Sequence, residues 1–120
     1  MKRALPTLCL LLLTACPEPT KPDAGPDPKV CDVKPPTECL QPNLRFADVK
    51  PIFDQHCEPC HNGTPGGPWP FNTYSEIVDW AAEVRGDIAF CFMPPADAGT
   101  VMTIEEKNKI LDWLRCDFPQ

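Results

Sequence analysis

The sequence predicts a small all-α domain with long loops, preceded by segments outside its core. Apolar residues recur at three- and four-residue spacings, which is the pattern of amphipathic helices. Thr73-x-x-Glu76 and Thr103-x-x-Glu106 are capping-box patterns that open two such stretches. No stretch alternates clearly with period two, as strands would. With 120 residues, 17 of them proline, the chain has room for one domain with extensive loop connections.

The first residues have the features of a bacterial export signal. Lys2 and Arg3 are followed by the apolar stretch 5–13, which is too short for a membrane span of about 20 residues but suits a signal peptide. The ending Leu13-Thr14-Ala15-Cys16 resembles a bacterial lipobox, in which the cysteine is lipidated. We therefore predict a signal peptide over 1–15 and a lipid-anchored, periplasm-facing protein of the bacterial cell envelope. The alternative is an ordinary signal peptide.

A proline-rich stretch follows the predicted lipidation site. Residues 17–29 read PEPTKPDAGPDPK, with five prolines among thirteen residues and no large apolar side chain. Such a segment cannot bury enough surface to fold, and proline keeps it extended. We predict that residues 16–45 comprise the lipidated cysteine, this tether and an edge segment with Cys31 and Cys39. The domain itself then spans 46–120, and Pro17 after the lipobox cysteine is compatible with the outer membrane.

The charge balance excludes one class of partner. Lysine and arginine total 11 against 17 aspartate and glutamate, a net charge of −6. Loss of Lys2 and Arg3 with the signal peptide would take this to −8 (−6 − 2). Nucleic-acid binding needs clustered cations for phosphate contacts, so we expect none.

Three helices are expected in the domain. Asp48 is a candidate N-cap for the first, with Pro51 in its first turn and one apolar face made by Val49, Ile52, Phe53 and His56. The glycines and prolines of 62–70 predict a loop. A second helix is expected from Thr73 to about Arg85, with Gly86 after its end and Tyr74, Ile77, Val78, Ala81 and Ala82 inward. The third follows Thr103, with an apolar stripe of Ile104, Ile110, Leu111 and Leu114.

The most informative motif is Cys57-Glu58-Pro59-Cys60-His61. C-x-x-C-H is typical of covalent c-type haem attachment, since two thiols can bond the porphyrin edge while the adjacent histidine reaches the iron. Three other interpretations remain open: a thioredoxin-like pair, a zinc site, and a structural disulfide beside a bystander histidine. His56 could also be a ligand, but we expect a partly exposed polar residue there.

From about Phe46 to Phe118 the chain resembles monohaem class I cytochrome c domains, especially those on bacterial lipoproteins. The resemblance rests on the segment 46–53, the haem motif, Met93-Pro94-Pro95 and the predicted C-terminal helix. It implies one covalent haem c per chain, with the iron held by His61 and by Met93. Met102 is the alternative sixth ligand. It also implies that a proline carbonyl accepts the second ring N–H of His61. Pro68 is the first candidate and Pro65 the second.

Several aromatic residues are candidates to line the porphyrin, although ordinary core packing is the alternative for each: Trp69, Phe71, Phe90, Phe92 and Trp113.

The resemblance implies an electron carrier rather than an enzyme, working with redox proteins of the envelope. The negative charge of the chain suits redox partners that have a positive docking patch. Two alternatives stay open: a haem enzyme or gas sensor with an open axial position, and a haem-free structural lipoprotein.

The remaining cysteines suggest two disulfides. Cys9 lies in the predicted signal, Cys16 is the predicted anchor, and the haem motif takes two more. The four that are left, in an oxidising compartment, allow three connectivities. We favour Cys31–Cys39 and Cys91–Cys116, with free thiols as the alternative.

Overall fold

The computed structural model describes residues 31–65, 67 and 69–120, and these contain four helices and no strand. The helices are α1 (Phe46–His56), α2 (Tyr74–Asp79), α3 (Ala81–Ala89) and α4 (Ile104–Arg115). The all-α prediction is confirmed. Cys16, Pro68 and the predicted signal and tether lie outside the described residues. Within the described part, none of the helices has the length and hydropathy needed to cross a membrane.

α1 begins earlier than predicted. Its N-cap is Arg45, and Asp48 is instead the third helical residue, whose Oδ2 accepts the backbone N–H of Arg45 at 2.8 Å. This shift places Pro51 beyond the first turn of α1. Because proline has no backbone N–H, the carbonyl of Ala47 loses its helical hydrogen bond. Ala47 and Pro51 are exposed, so water can donate a hydrogen bond to the Ala47 carbonyl. The predicted apolar face is confirmed, because its four members are all buried: Val49, Ile52, Phe53 and His56.

The single helix predicted over 73–85 is two helices. Trp80, with φ −112° and ψ 20°, leaves the helical region and separates α2 from α3. Gly86 was predicted to end the helix but lies inside α3. The break lets Ile77 and Ile88, on different helices, both be buried in the core. Of the other residues predicted to face inward, three are half-buried, namely Tyr74, Val78 and Ala81. Ala82 is exposed.

α4 begins at a reciprocal cap, as predicted. Thr103 Oγ1 accepts the N–H of Glu106 at 3.2 Å, and Glu106 Oε2 accepts the N–H of Thr103 at 2.8 Å. The equivalent capping box at Thr73 and Glu76 is also present. Ile110, Leu111 and Leu114 of the predicted stripe are buried. Ile104 is not: at the first helical position, more than a turn before the others, it is 43% exposed.

Trp113 is the centre of the aromatic core. It is fully buried, and its ring lies 6.0–6.4 Å from four other aromatic rings, those of Phe46, Phe53, Tyr74 and Phe118. Its Nε1 donates to the carbonyl of Pro119 at 2.9 Å. The indole therefore joins α1, α2 and the C-terminal residues to α4, and Trp113 is a core residue rather than one that lines a cofactor.

The four cysteines of the described residues that lie outside the C-x-x-C-H motif form two disulfides. The predicted pairing, Cys31 with Cys39 and Cys91 with Cys116, was wrong. Cys31 is bonded to Cys91, with 5.8 Å between their Cα atoms, and Cys39 to Cys116, with 4.8 Å. The edge segment does not fold back on itself, so its two cysteines reach different helix ends. Cys31 meets the end of α3, whereas Cys39 meets the end of α4, where Leu40 N–H also donates to Asp112 Oδ1 at 2.8 Å.

Candidate cofactor site

A pocket with an open mouth lies beside α1 and α3. Its atom-free space, with the adjoining solvent at the mouth included, is about 820 Å³. Sites for small molecules typically have mainly apolar walls with few polar groups. The walls here are mainly apolar, being built largely from Phe53, Trp69, Phe71, Trp80, Val84, Ile88, Pro94 and Pro95. The pocket therefore has the apolar character of a cofactor site.

The C-x-x-C-H motif forms one wall of this pocket. Cys57 caps the end of α1, its N–H donating to the carbonyl of Phe53 at 2.9 Å. The N–H of His61 donates to the carbonyl of Cys57 at 2.8 Å, which closes the motif into a tight turn. As a result Cys57, Cys60 and His61 all line the pocket. Neither cysteine is in a disulfide, which argues against a purely structural pair.

The loop after the motif packs back against it. Phe71 N–H donates to the carbonyl of His61 at 2.9 Å, and the two rings have centroids 4.8 Å apart. A Cβ at Gly67 would lie 2.5 Å from the carbonyl oxygen of Cys60, so this close approach requires glycine. Pro68, the predicted acceptor for the His61 ring, is not among the described residues, so that contact stays a prediction.

The thiol of Cys57 is poorly suited to redox exchange. Burial, with a smaller contribution from the nearby Cys60, raises the pKa of Cys57 to about 12. A dithiol oxidoreductase needs the opposite, a lowered pKa that makes the thiolate available. Moreover, the pair follows a helix, whereas the thioredoxin-like motif follows a strand. These features favour a Cys57 thiol held in the neutral form beside an apolar cavity.

Met93 shares the pocket with the motif, and Met102 does not. The N–H of Met93 donates to the carbonyl of Asp87 at 3.2 Å, so the end of α3 positions it, and the Met93–Pro94 peptide is cis. The pocket surface includes Met93. Met102 is buried and borders a different cavity. Of these two methionines, Met93 is the one that can meet a ligand in the pocket.

The aromatic predictions divide into two groups. Trp69 and Phe71 line the pocket as expected, whereas Phe90 and Phe92 are 68% and 58% exposed and do not. Trp80 was not predicted, yet it lines the pocket with its ring 5.5 Å from that of Trp69. Trp80 lies at the break between α2 and α3, and no local sequence pattern indicated that break.

His56 is a buried polar residue at the edge of the pocket, not the partly exposed one expected. Its Nδ1 hydrogen-bonds the hydroxyl of Thr100, and its Nε2 lies 3.4 Å from Glu106 Oε1. Both ring nitrogens thus have protein neighbours, which holds the imidazole against α4 and argues against His56 as a free ligand.

The same cluster predicts a pH effect on stability. The backbone N–H of Thr103, supported by its hydroxyl and by His56, lowers the pKa of Glu106. A carboxyl whose pKa is lower in the folded than in the unfolded state stabilises the fold above its unfolded value of about 4.3, and this contribution disappears as pH falls through the folded pKa. We expect Glu106→Gln to lower the free energy of unfolding near neutral pH, with the difference from wild type shrinking in acid, measured by urea unfolding.

Glu105→Gln is the matched control, because it removes the same charge from the same turn without touching the Thr103 cap. Equal losses in the two variants, or a Glu106→Gln loss that persists unchanged in acid, would contradict the assignment.

Within the described residues, no group of three or more His, Cys, Asp or Glu side chains could hold a metal ion. An iron held by one histidine and one methionine would not form such a group. In comparisons with known proteins, the chain matches no protein-family model, no curated protein and no solved structure.

Proposed function

We propose that this protein is a membrane-anchored monohaem c-type cytochrome that carries single electrons between redox proteins of the bacterial cell envelope. The proposal rests on one observation above all: Cys57, Cys60, His61 and Met93 line the same apolar pocket. These are two thiols, one imidazole and one thioether, which is the set that covalent attachment and His/Met ligation require.

Each residue has a defined role in this proposal. Cys57 and Cys60 hold haem by thioether bonds, while His61 and Met93 hold its iron. Bound haem supplies a ferric/ferrous couple that accepts and donates one electron, and a thioether ligand raises its reduction potential. The raised pKa keeps Cys57 as a thiol, and this protects it from oxidation before attachment. The mainly apolar walls offer haem an environment with few competing polar groups.

Two acidic residues border the same pocket on α3, Glu83 and Asp87. They are two of the 17 acidic residues that give the chain its net charge of −6. Complementary charge accelerates protein association, so the proposed redox partners carry a positive docking patch. We infer no nucleic-acid partner.

The test of the proposed function is a pyridine haemochrome assay on protein produced with the c-type maturation machinery, followed by a visible spectrum. The proposal expects one haem per chain and sharp α and β bands in the reduced state. Broad bands of five-coordinate haem would instead indicate an enzyme or gas sensor with an open axial site. Absence of a Soret band would indicate a haem-free lipoprotein.

The proposed anchor is acyl chains on Cys16, which would attach the protein to the membrane, with the outer membrane favoured by Pro17. Each buried methylene contributes about 0.8 kcal/mol, so two or more chains hold a protein stably. We expect Cys16→Ser to release the protein into the soluble fraction, measured by fractionation in high salt.

Cys9→Ser is the control for this experiment, since Cys9 lies inside the predicted signal peptide and should be removed with it. A Cys16→Ser protein that stays with the membrane as Cys9→Ser does would rule out the anchor.

A further inference from the structure

The two disulfides have opposite charges beside them. Lys107 Nζ lies 3.5 Å from Cys91 Sγ, whereas Asp112 Oδ1 lies 3.9 Å from Cys116 Sγ. Both charged groups come from α4, and both contacts are partly buried. Thus an ammonium group borders one disulfide and a carboxyl group borders the other.

This difference bears on how easily each disulfide exchanges with a thiol. In exchange, one sulfur leaves with the electron pair of the broken S–S bond, and the reaction is faster when the leaving thiolate is more stable. A neighbouring cation stabilises a thiolate, and a neighbouring carboxylate opposes it. Lys107 therefore favours departure of Cys91, while Asp112 disfavours departure of Cys116.

The first disulfide borders a cavity that is open to solvent. Cys31 and Cys91 both line a second pocket, with about 670 Å³ of atom-free space including its mouth. Lys107 is the one charged residue among its described lining residues. Accessibility alone does not separate the two disulfides, because Cys39 is exposed. The neighbouring charge is what distinguishes them.

We propose that Cys31–Cys91 is an exchangeable disulfide, opened by dithiol reductants in preference to Cys39–Cys116. A thiolate of the reductant attacks Cys31 Sγ, the S–S bond breaks, and Cys91 leaves as a thiolate beside Lys107. The second thiol of the reductant then displaces Cys31 from the mixed disulfide. The reductant is oxidised to a disulfide by two electrons, and its two protons end on Cys31 and Cys91. This step is independent of any cofactor.

Opening this disulfide acts on the cofactor pocket through a shared wall. Pro94 and Pro95 line both cavities, three and four residues after Cys91. The disulfide ties the turn after α3 to the edge segment. Its reduction therefore loosens the chain that forms this wall, while Cys39–Cys116 still fastens the edge segment to α4.

The test is timed reduction of the full-length protein by dithiothreitol, with released thiols alkylated and identified by peptide mapping. Cys91 and Cys116 fall on different tryptic peptides and report one disulfide each. We expect Cys91 to be labelled about threefold faster than Cys116, or more. Labelling of Cys116 first, or of both at one rate, overturns the proposal.

Lys107→Gln isolates the role of the ammonium group, with Lys109→Gln as the matched control on the same helix. Lys107→Gln should slow labelling of Cys91 by about threefold, and Lys109→Gln should leave it unchanged. Equal rates in the two variants would show that Lys107 does not control the exchange and would overturn the mechanism.

Discussion

Replacing both Cys57 and Cys60 by serine is expected to abolish covalent haem. In the proposed attachment each thiol makes one thioether bond, so the double variant should have none, whereas either single variant should keep one attachment and lose part of its yield. The measurement is haem retention after acid-acetone extraction, with the mass of the intact chain as a second readout. In the double variant, haem should extract completely and the chain mass should equal that of the polypeptide alone.

The matched control removes two cysteines from outside the motif. Cys39→Ser/Cys116→Ser loses the disulfide that lines neither of the two described cavities, so its haem should resist extraction. Haem that stays bound to the Cys57→Ser/Cys60→Ser chain after extraction would refute covalent attachment through this motif.

The helical class and the starts of α2 and α4 were predictable because their signals are local. The two capping boxes each involve residues three positions apart, and both form as the sequence indicates. The apolar face of α1 follows from a spacing within a single helix, and all four of its residues are buried. Signals of this kind depend on backbone geometry that a short stretch of chain determines by itself.

Features that depend on distant parts of the chain were not predictable in the same way. The disulfide partners are 60 and 77 residues apart, and nothing near either cysteine encodes that choice. The break at Trp80 likewise follows from packing of two helices on one core, not from a breaker residue. The sequence alone could not tell whether Trp113 lines a cofactor or packs in the core. Its complete burial shows that it belongs to the core.

The candidate site combines both kinds of information. The spacing of Cys57, Cys60 and His61 is a local motif, so the sequence alone predicts haem attachment there. Which of Met93 and Met102 lines the pocket could not be read from the sequence, because the two are only nine residues apart in the same loop region. Met93, held beside the end of α3, lines the pocket and is 38% exposed, while Met102 is buried and borders the other cavity.

Met93→Ala is expected to leave covalent haem intact but to change how the iron is held. Loss of the thioether should abolish the weak far-red charge-transfer band expected for ferric His/Met haem. The reduction potential should fall by on the order of 100 mV, within the roughly 0.8 V range that axial ligands cover. The vacated position should also bind carbon monoxide. Absorbance spectroscopy, potentiometric titration and carbon monoxide binding measure these three effects.

Met102→Ala is the matched control, since it removes the same side chain from a buried position outside the pocket. Its cavity should lower stability by about 2–5 kcal/mol while the far-red band, the potential and the closed axial site remain. Because stability and ligation then change in different variants, the two roles are separable. A band that survives in Met93→Ala and vanishes in Met102→Ala would transfer the ligand assignment to Met102.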